Sequence, residues 1–352
     1  MPALDERKIV ILKAIVRSYV RGGEPVSSKR LVEEVGLNVS AATVRSDMAA
    51  LEAEGLIVQP HTSAGRIPTD RGYRFFVDSL SDTLSEVAPL AGPQREVLEE
   101  LLLGAHDLED LLRRATSVLS RFTHFASLVV APRIDRSRLR HIELVPLGPT
   151  SVLAVLIADT GRAEKRRLLL EAPIAEHDVQ RVRHAVNLAA AGLRTEAAPD
   201  VIAGIAEGAP PELRGLIDAV GESVRADLAA ADSAGEQVFV GGTSHLAGPG
   251  HFDRIEQVKQ VYETFEEQVL LLEMVRGALA SSDPGVRIGT ELPLVELAAC
   301  SVVAASYGTA GEAVGSLGVL GPTRMDYPRT MAAVQAVASS LEKALAELTG
   351  DA

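Results

Sequence analysis

The sequence predicts an α+β protein of more than one domain, and three observations lead there. At 352 residues the chain exceeds what one hydrophobic core usually organises. Its first eighty residues read as short capped helices followed by a strand, a turn and a return strand. Beyond them, two strand-rich blocks flank a mostly helical stretch, roughly 165–280, broken by one strand at EQVFVGG. A strand-rich domain split by an insertion gives that order.

Each element has a local cause. Over residues 4–21, Ile9, Leu12, Val16 and Tyr19 recur at helical spacing, and Gly22-Gly23 supplies the stop. In PVSSKRLVEEVGL, Ser27 is placed as N-cap with Val26 and Leu31 as a hydrophobic staple, and the helix ends near Gly36. VSAATVRSDMAALEAEGL repeats the pattern. Ser40 caps, Val39 and Val44 staple, and Gly55 closes a helix of about four turns. Two such helices around a Gly-containing turn predict a helix-turn-helix.

LIVQP and RIPT, joined by HTSAG, predict a hairpin wing whose return strand is blunted by Pro68. TDRGYRFFVDSL reads as a helix, with Phe75 and Phe76 packed under the wing, and SEVAPLAGPQ at 85–94 as a linker. Residues 95–121 form an amphipathic helix or helix pair. FASLVVAP, LRHIELVPLG and SVLAVLIADTG supply the first strand block; VRIG, CSVVAASY and EAVGSLGVLGP supply the second, followed by a closing helix from Pro328. The expected division is 1–85 for the N-terminal module, 95–164 together with 281–350 for the split domain, and 165–280 for the insertion.

Composition excludes several classes. Hydrophobic residues are 47% and charged residues 24%, the balance of an ordinary folded protein. Cys300 is the only cysteine, and no Cys and His spacing matches a zinc site, so neither metal nor cofactor is expected. The N-terminus MPALDERKIV is charged where an export signal would be apolar, and the apolar runs are too short to span a bilayer. The expected location is the cytoplasm. A net charge of -13 is unusual for a nucleic-acid binder, yet it is unevenly spread. Residues 1–80 hold 11 Lys or Arg against 10 Asp or Glu, and the remainder holds 24 against 38. The acidic load lies outside the N-terminal module and favours one mode of docking on DNA.

With Val44 taken as zero on the third helix and about 100° per residue, Met48 and Leu51 share its side. The opposite side carries Ala42, Ser46 and Ala49, flanked by Thr43 and Arg45 and preceded by Ser40. Small side chains let a helix seat deeply in a major groove, where Arg can bind guanine through two hydrogen bonds. A surface helix with a solvated Arg45 is the commoner case for such a pattern alone. The turn beside it changes the weighting. His61, Thr62, Ser63 and Arg66 gather hydroxyls, an imidazole and a guanidinium suited to phosphates or the minor groove, and core packing asks for no such set. Lys29 and Arg30 add two candidate phosphate contacts.

The stretch TVRSDMAALEAEGLIVQPHTSAGRIPTDRGYRFFVD resembles the N-terminal signature of the HrcA family, and GGTSHL at 241–246 with LGVLGPTRMDYPR at 317–329 resembles its distal signatures. The resemblance runs nearly end to end. It implies a winged helix, a GAF-like domain and an inserted dimerisation domain. It further implies a homodimer that represses heat-shock chaperone operons from an inverted-repeat operator of double-stranded DNA, and a need for the GroE chaperonin to keep the repressor active.

Enzyme readings find little support. Gly315, Gly318 and Gly321 do not form a phosphate-loop spacing. His177 and His184 lie two helical turns apart, too far to share a metal without further ligands, and His245 has no nucleophile that the sequence can place beside it. Two alternatives remain: a winged-helix regulator whose GAF-like domain senses a small effector, and an adaptor whose N-terminal module binds protein. A polar cavity with converging charges favours the sensor; a collapsed apolar interior favours the chaperonin-dependent repressor.

Overall fold

The computed structural model describes residues 4–35, 39–61, 64–81, 92–135, 137–234, 236–248, 252, 255–280, 282–309 and 312–350. Helix α1 (Glu6–Gly22) begins where the Asp5 carboxylate accepts from the Lys8 N–H and ends at Gly23, whose φ of 69° places it in the left-handed region. Helix α2 (Ser28–Val35) starts with the Arg30 N–H donating to Ser27 Oγ at 3.3 Å; its expected close at Gly36 lies outside the described residues. Helix α3 (Ala41–Ala53) is capped by Ser40, whose Oγ accepts from the Thr43 N–H at 3.2 Å.

Strand β1 (Ile57–Val58) then pairs antiparallel with β2 (Ile67–Pro68). Val26 exchanges two backbone hydrogen bonds of 2.9 Å with Arg66, so the approach to α2 extends the hairpin on its far side. A Cβ at Gly65 would overlap the Val26 backbone, which explains the glycine there. Helix α4 (Asp70–Ser81) completes the module. Its apolar stripe faces inward: Tyr73, Phe76, Val77 and Leu80 are buried together at helical spacing, Phe76 lines a cleft with Val16, Val20 and Met325, and Phe75 is half-buried. Tyr73 meets Tyr327 at a ring-centroid distance of 5.7 Å.

Residues 95–121 form a helix pair, α5 (Gly92–Leu103) and α6 (Leu108–Thr123). The end of the expected linker is therefore helical, and 85–91 lie outside the described residues. A five-stranded antiparallel sheet follows from β3 (Ala126–Val130), β7 (Val238–Gly241), β8 (Gly285–Ile288), β9 (Cys300–Thr309) and β10 (Glu312–Pro322), in the order β7-β3-β10-β9-β8. The glycines of GSLGVLG sit within β10, hydrogen-bonded between β3 and β9. One face carries α6 and α12 (Tyr327–Thr349); the other carries α10 (Ile255–Glu266) and α11 (Gln268–Leu279). Asp326 caps α12, accepting from the Arg329 N–H at 3.2 Å.

The strands divide differently from the expected boundaries. β4 (Leu139–Gly148) and β5 (Ser151–Ala158) do not join β3; they pair with β6 (Ala163–Leu169) in a separate sheet of order β4-β5-β6, covered by α7 (Glu176–Ala190), α8 (Ala198–Gly208) and α9 (Pro211–Ala234). In turn β7, expected inside the insertion, bonds to β3. The reason is β6. Its sequence AEKRRLL lacks the apolar character of a strand, yet Arg166 is held by Asp227 of α9 and Leu168 is buried. A strand stabilised by a partner sixty residues away is silent in local sequence.

The core of the five-stranded sheet is largely apolar, with a few buried hydroxyls. Tyr307 is fully buried, its hydroxyl donating to the Val130 carbonyl at 2.7 Å, and Tyr327 donates to the Thr323 carbonyl at 2.8 Å. Burial pushes the Cys300 thiol up to about 12, so native protein should resist iodoacetamide at neutral pH until unfolded. Labelling in the folded state, followed by mass spectrometry, checks this. Among the described residues, the Tyr73 hydroxyl is buried with no hydrogen-bond partner. Tyr73→Phe should therefore leave stability unchanged or raise it by up to about 1 kcal/mol in denaturant unfolding; a loss of that size would mean the hydroxyl is bonded. No described helix is long and apolar enough to cross a membrane, and the described residues hold no cluster of three or more His, Cys, Asp or Glu able to bind a metal.

Candidate nucleic-acid interface

Helices α1 and α2 hold α3 in place. Val44, Met48 and Leu51 are buried beside Ile11, Leu12, Ile15 and Leu31, as the helical spacing requires. Asp47 is also buried, and Arg7 grips it through Nε at 2.8 Å and an Nη at 3.0 Å. Sequence reasoning missed this pair. Asp47 lies three residues from Val44 and four from Leu51, so the inward position was readable; its partner forty residues upstream was not.

The opposite face is open. Ser40, Ala42, Arg45, Ser46 and Ala49 are exposed and Thr43 is half-buried. Ser40 and Thr43 are partly committed, since their hydroxyls lie 3.0 Å apart and Ser40 caps the helix. Both carboxylates within α3 are engaged away from this face, Asp47 by Arg7 and Glu52 by Arg66. Arg45 makes no ion pair or hydrogen bond among the described residues. Arg45 also lines a cleft of about 340 Å³ with Val26, Gln59 and Ala64, at the seam between α3 and the hairpin.

The wing residues separate. His61 is exposed, whereas Thr62 and Ser63 lie outside the described residues. Arg66 points back into the protein: its Nε donates to Glu52 Oε2 at 2.9 Å and its side chain is mostly covered. Glu52 Oε1 accepts from the Gln59 N–H at 3.1 Å, and Gln59 Nε2 donates to the Ala64 carbonyl at 3.0 Å. Arg66, expected among the phosphate contacts, instead fastens the hairpin to α3. Lys29 is exposed and makes no ion pair among the described residues; Arg30 is half-buried with its guanidinium against Gly22.

Among the described residues, the histidines that the sequence singled out for possible chemistry do not gather into a site. His177 and His184 are exposed on α7, and the His245 ring stands edge-on to His124 at 5.7 Å.

An exposed helix face of small side chains beside a short hairpin has the shape a nucleic-acid-binding regulator needs, and comparison with known proteins defines the class. Residues 109–331 match the family model described as the HrcA protein C-terminal domain. The chain is 47% identical over 345 residues to a heat-inducible transcription repressor HrcA of Acidothermus cellulolyticus, covering 98% of this chain and 99% of the relative. Similar coverage, at 45% identity over 344 residues, relates it to the repressor of that name from Streptomyces avermitilis. The chain belongs to the HrcA family, which consists of heat-inducible transcription repressors and not of enzymes. A crystal structure of a hypothetical protein, 23% identical, superposes with a TM-score of 0.65 over 98% of this chain and 100% of the other, so the fold has been seen before.

Proposed function

We propose that this chain is a dimeric repressor that places α3 in the major groove of an inverted-repeat operator, of the type known as CIRCE, and steadies it with the hairpin as a wing. The observation that carries the reading is the α3 surface itself: small side chains around a guanidinium that has no partner among the described residues, with both carboxylates of α3 engaged elsewhere. Control of chaperone operons and maintenance by the GroE chaperonin follow from family resemblance. A repressor that samples inactive states would lose its rescue when damaged proteins occupy the chaperonin. The location consistent with all of this is the cytoplasm.

Strand order supports a GAF-like middle domain, since its five strands counted along the chain run 2-1-5-4-3. Its sheet is lined on both faces by buried apolar residues such as Leu128, Val303, Leu317 and Leu320. These packed apolar faces favour the chaperonin-dependent repressor, while a cleft of about 450 Å³ at the edge of the domain, lined by Asp107, Glu109, Arg162, Glu164 and Lys165, is where an effector would bind on the sensor reading. For the dimer, the three-stranded sheet offers a surface. Its inner face is buried under the helices, while Leu153 and Val155 face outward at half-exposure beside Val145, Leu147 (55% exposed) and Leu169 (74% exposed). These outward aliphatic side chains, which share their cross-strand rows with Glu143, Lys165 and Arg167, support a self-association site with an apolar centre and charged flanks.

Fluorescence anisotropy with a duplex from the chain's own chaperone promoter tests the reading. Binding should be about 10³-fold tighter than to random duplex, and should weaken steeply between about 50 and 200 mM salt. Equal affinity for both duplexes, or no salt dependence, would contradict it and favour a protein-binding adaptor. Arg66→Ala should weaken every duplex alike by loosening the wing, with the salt slope changed by less than about one unit. A full unit lost would return Arg66 to the phosphates.

A further inference from the structure

The DNA-binding module is not a tethered bead. Its buried residues merge with one face of the five-stranded sheet in a single continuous core, and four separate contacts reinforce the junction. At the first, Tyr73 of α4 packs on Tyr327 of α12. At the second, the Arg324 guanidinium lies against Gly23 at the end of α1. The third is polar and specific. Arg74 of α4 binds both carboxylate oxygens of Glu291, through Nε at 2.8 Å and through Nη2, and that same Nη2 donates to the Val286 carbonyl at 2.7 Å. Glu291 Oε2 also accepts from the Ile288 N–H at 2.9 Å, while Asp78 lies 3.4 Å from Arg74 Nη1.

One turn earlier on α4, Asp70 Oδ2 accepts from both the N–H and the hydroxyl of Thr290, each at 3.0 Å. Gly289 permits this approach. It has a φ of 53°, and a Cβ there would overlap the Asp70 carboxylate. A two-pronged arginine grip combined with a two-bond carboxylate grip fixes rotation as well as distance, because each is planar and directional.

We infer that Asp70, Arg74, Thr290 and Glu291 are positioning residues that set which half-site spacing the dimer accepts. The inference rests on the repressor reading above and deepens it. In a symmetric dimer bound to an inverted repeat, the second recognition helix binds as an intramolecular event, and its gain depends wholly on whether the rigid frame presents it at the right place. Each added base pair rotates one half-site about the duplex axis by roughly a tenth of a turn. A stiff junction cannot follow that rotation. A loosened one can, at the cost of ordering itself on binding.

The experiment compares full-length wild type with Glu291→Gln and Thr290→Val on three probes: a single half-site duplex, the natural inverted repeat, and repeats with one or two base pairs added or removed between the halves. Thr290 is exposed, so Thr290→Val leaves the core intact should Glu291→Gln prove unstable by thermal unfolding. Wild type should lose about 100-fold in affinity when the spacing changes. The variants should bind the half-site as wild type does, bind the natural repeat about tenfold more weakly, and vary less than about fivefold across the spacings. Variants that keep the steep wild-type profile while losing affinity uniformly overturn the inference and leave the repressor reading standing. A wild type that shows no preference for the half-site over random duplex overturns the repressor reading, and this inference with it.

Discussion

Arg45→Ala should weaken operator binding by about 1 to 3 kcal/mol, roughly five- to 150-fold, and relax base preference at one position in each half-site. Truncation is expected to act on recognition alone, because Arg45 is exposed and makes no bond among the described residues that folding would miss. Thermal unfolding should be unchanged. Selection of bound sequences from a randomised half-site would reveal the relaxed position. Equal losses on operator and random DNA would instead place Arg45 on a phosphate, where a contact adds affinity without sequence information.

A larger loss is expected from Leu153→Asp. This residue stands at the middle strand of the three-stranded sheet, opposite Val145 on one side and Arg167 on the other, and faces away from the helices. In the single chain an aspartate there meets water, so the fold should tolerate it. If this face forms the two-fold interface, a carboxylate among its aliphatic side chains is desolvated there, and that is costly even with Arg167 across the strand. Light scattering should show a monomer, and affinity for the inverted repeat should drop by about 10²-fold or more as the intramolecular second contact is lost, with half-site binding unaltered. A variant that remains dimeric would move the self-association surface elsewhere.

What the sequence revealed followed the range of the interactions involved. Ser27 and Ser40 cap their helices through bonds to residues three positions on, and Val44, Met48 and Leu51 line up by helical periodicity; both signals lie within one or two turns. The outward set Ser40, Ala42, Arg45, Ser46 and Ala49 followed from the same geometry. Long-range pairings were hidden. Nothing near Arg66 in sequence announces that Glu52 will take its charge, nor near Asp47 that Arg7 will cover it. Strand partners behaved alike. β4 and β5 look as apolar as β3, and their pairing with the charged strand β6 over an apolar core shared with α7, α8 and α9 is set by residues far along the chain. The junction joining Arg74 to Glu291 spans more than two hundred residues, beyond any periodicity.

The account turns on α3 entering the major groove. Methylation interference on the chaperone promoter measures this directly, because N7-methylguanine blocks the groove edge that an arginine fork reads. The prediction is two symmetric clusters of interfering guanines, one per half-site, with one guanine in each cluster losing its effect in Arg45→Ala. A protein that binds the promoter tightly yet ignores major-groove methylation, in wild type and variant alike, would contradict it.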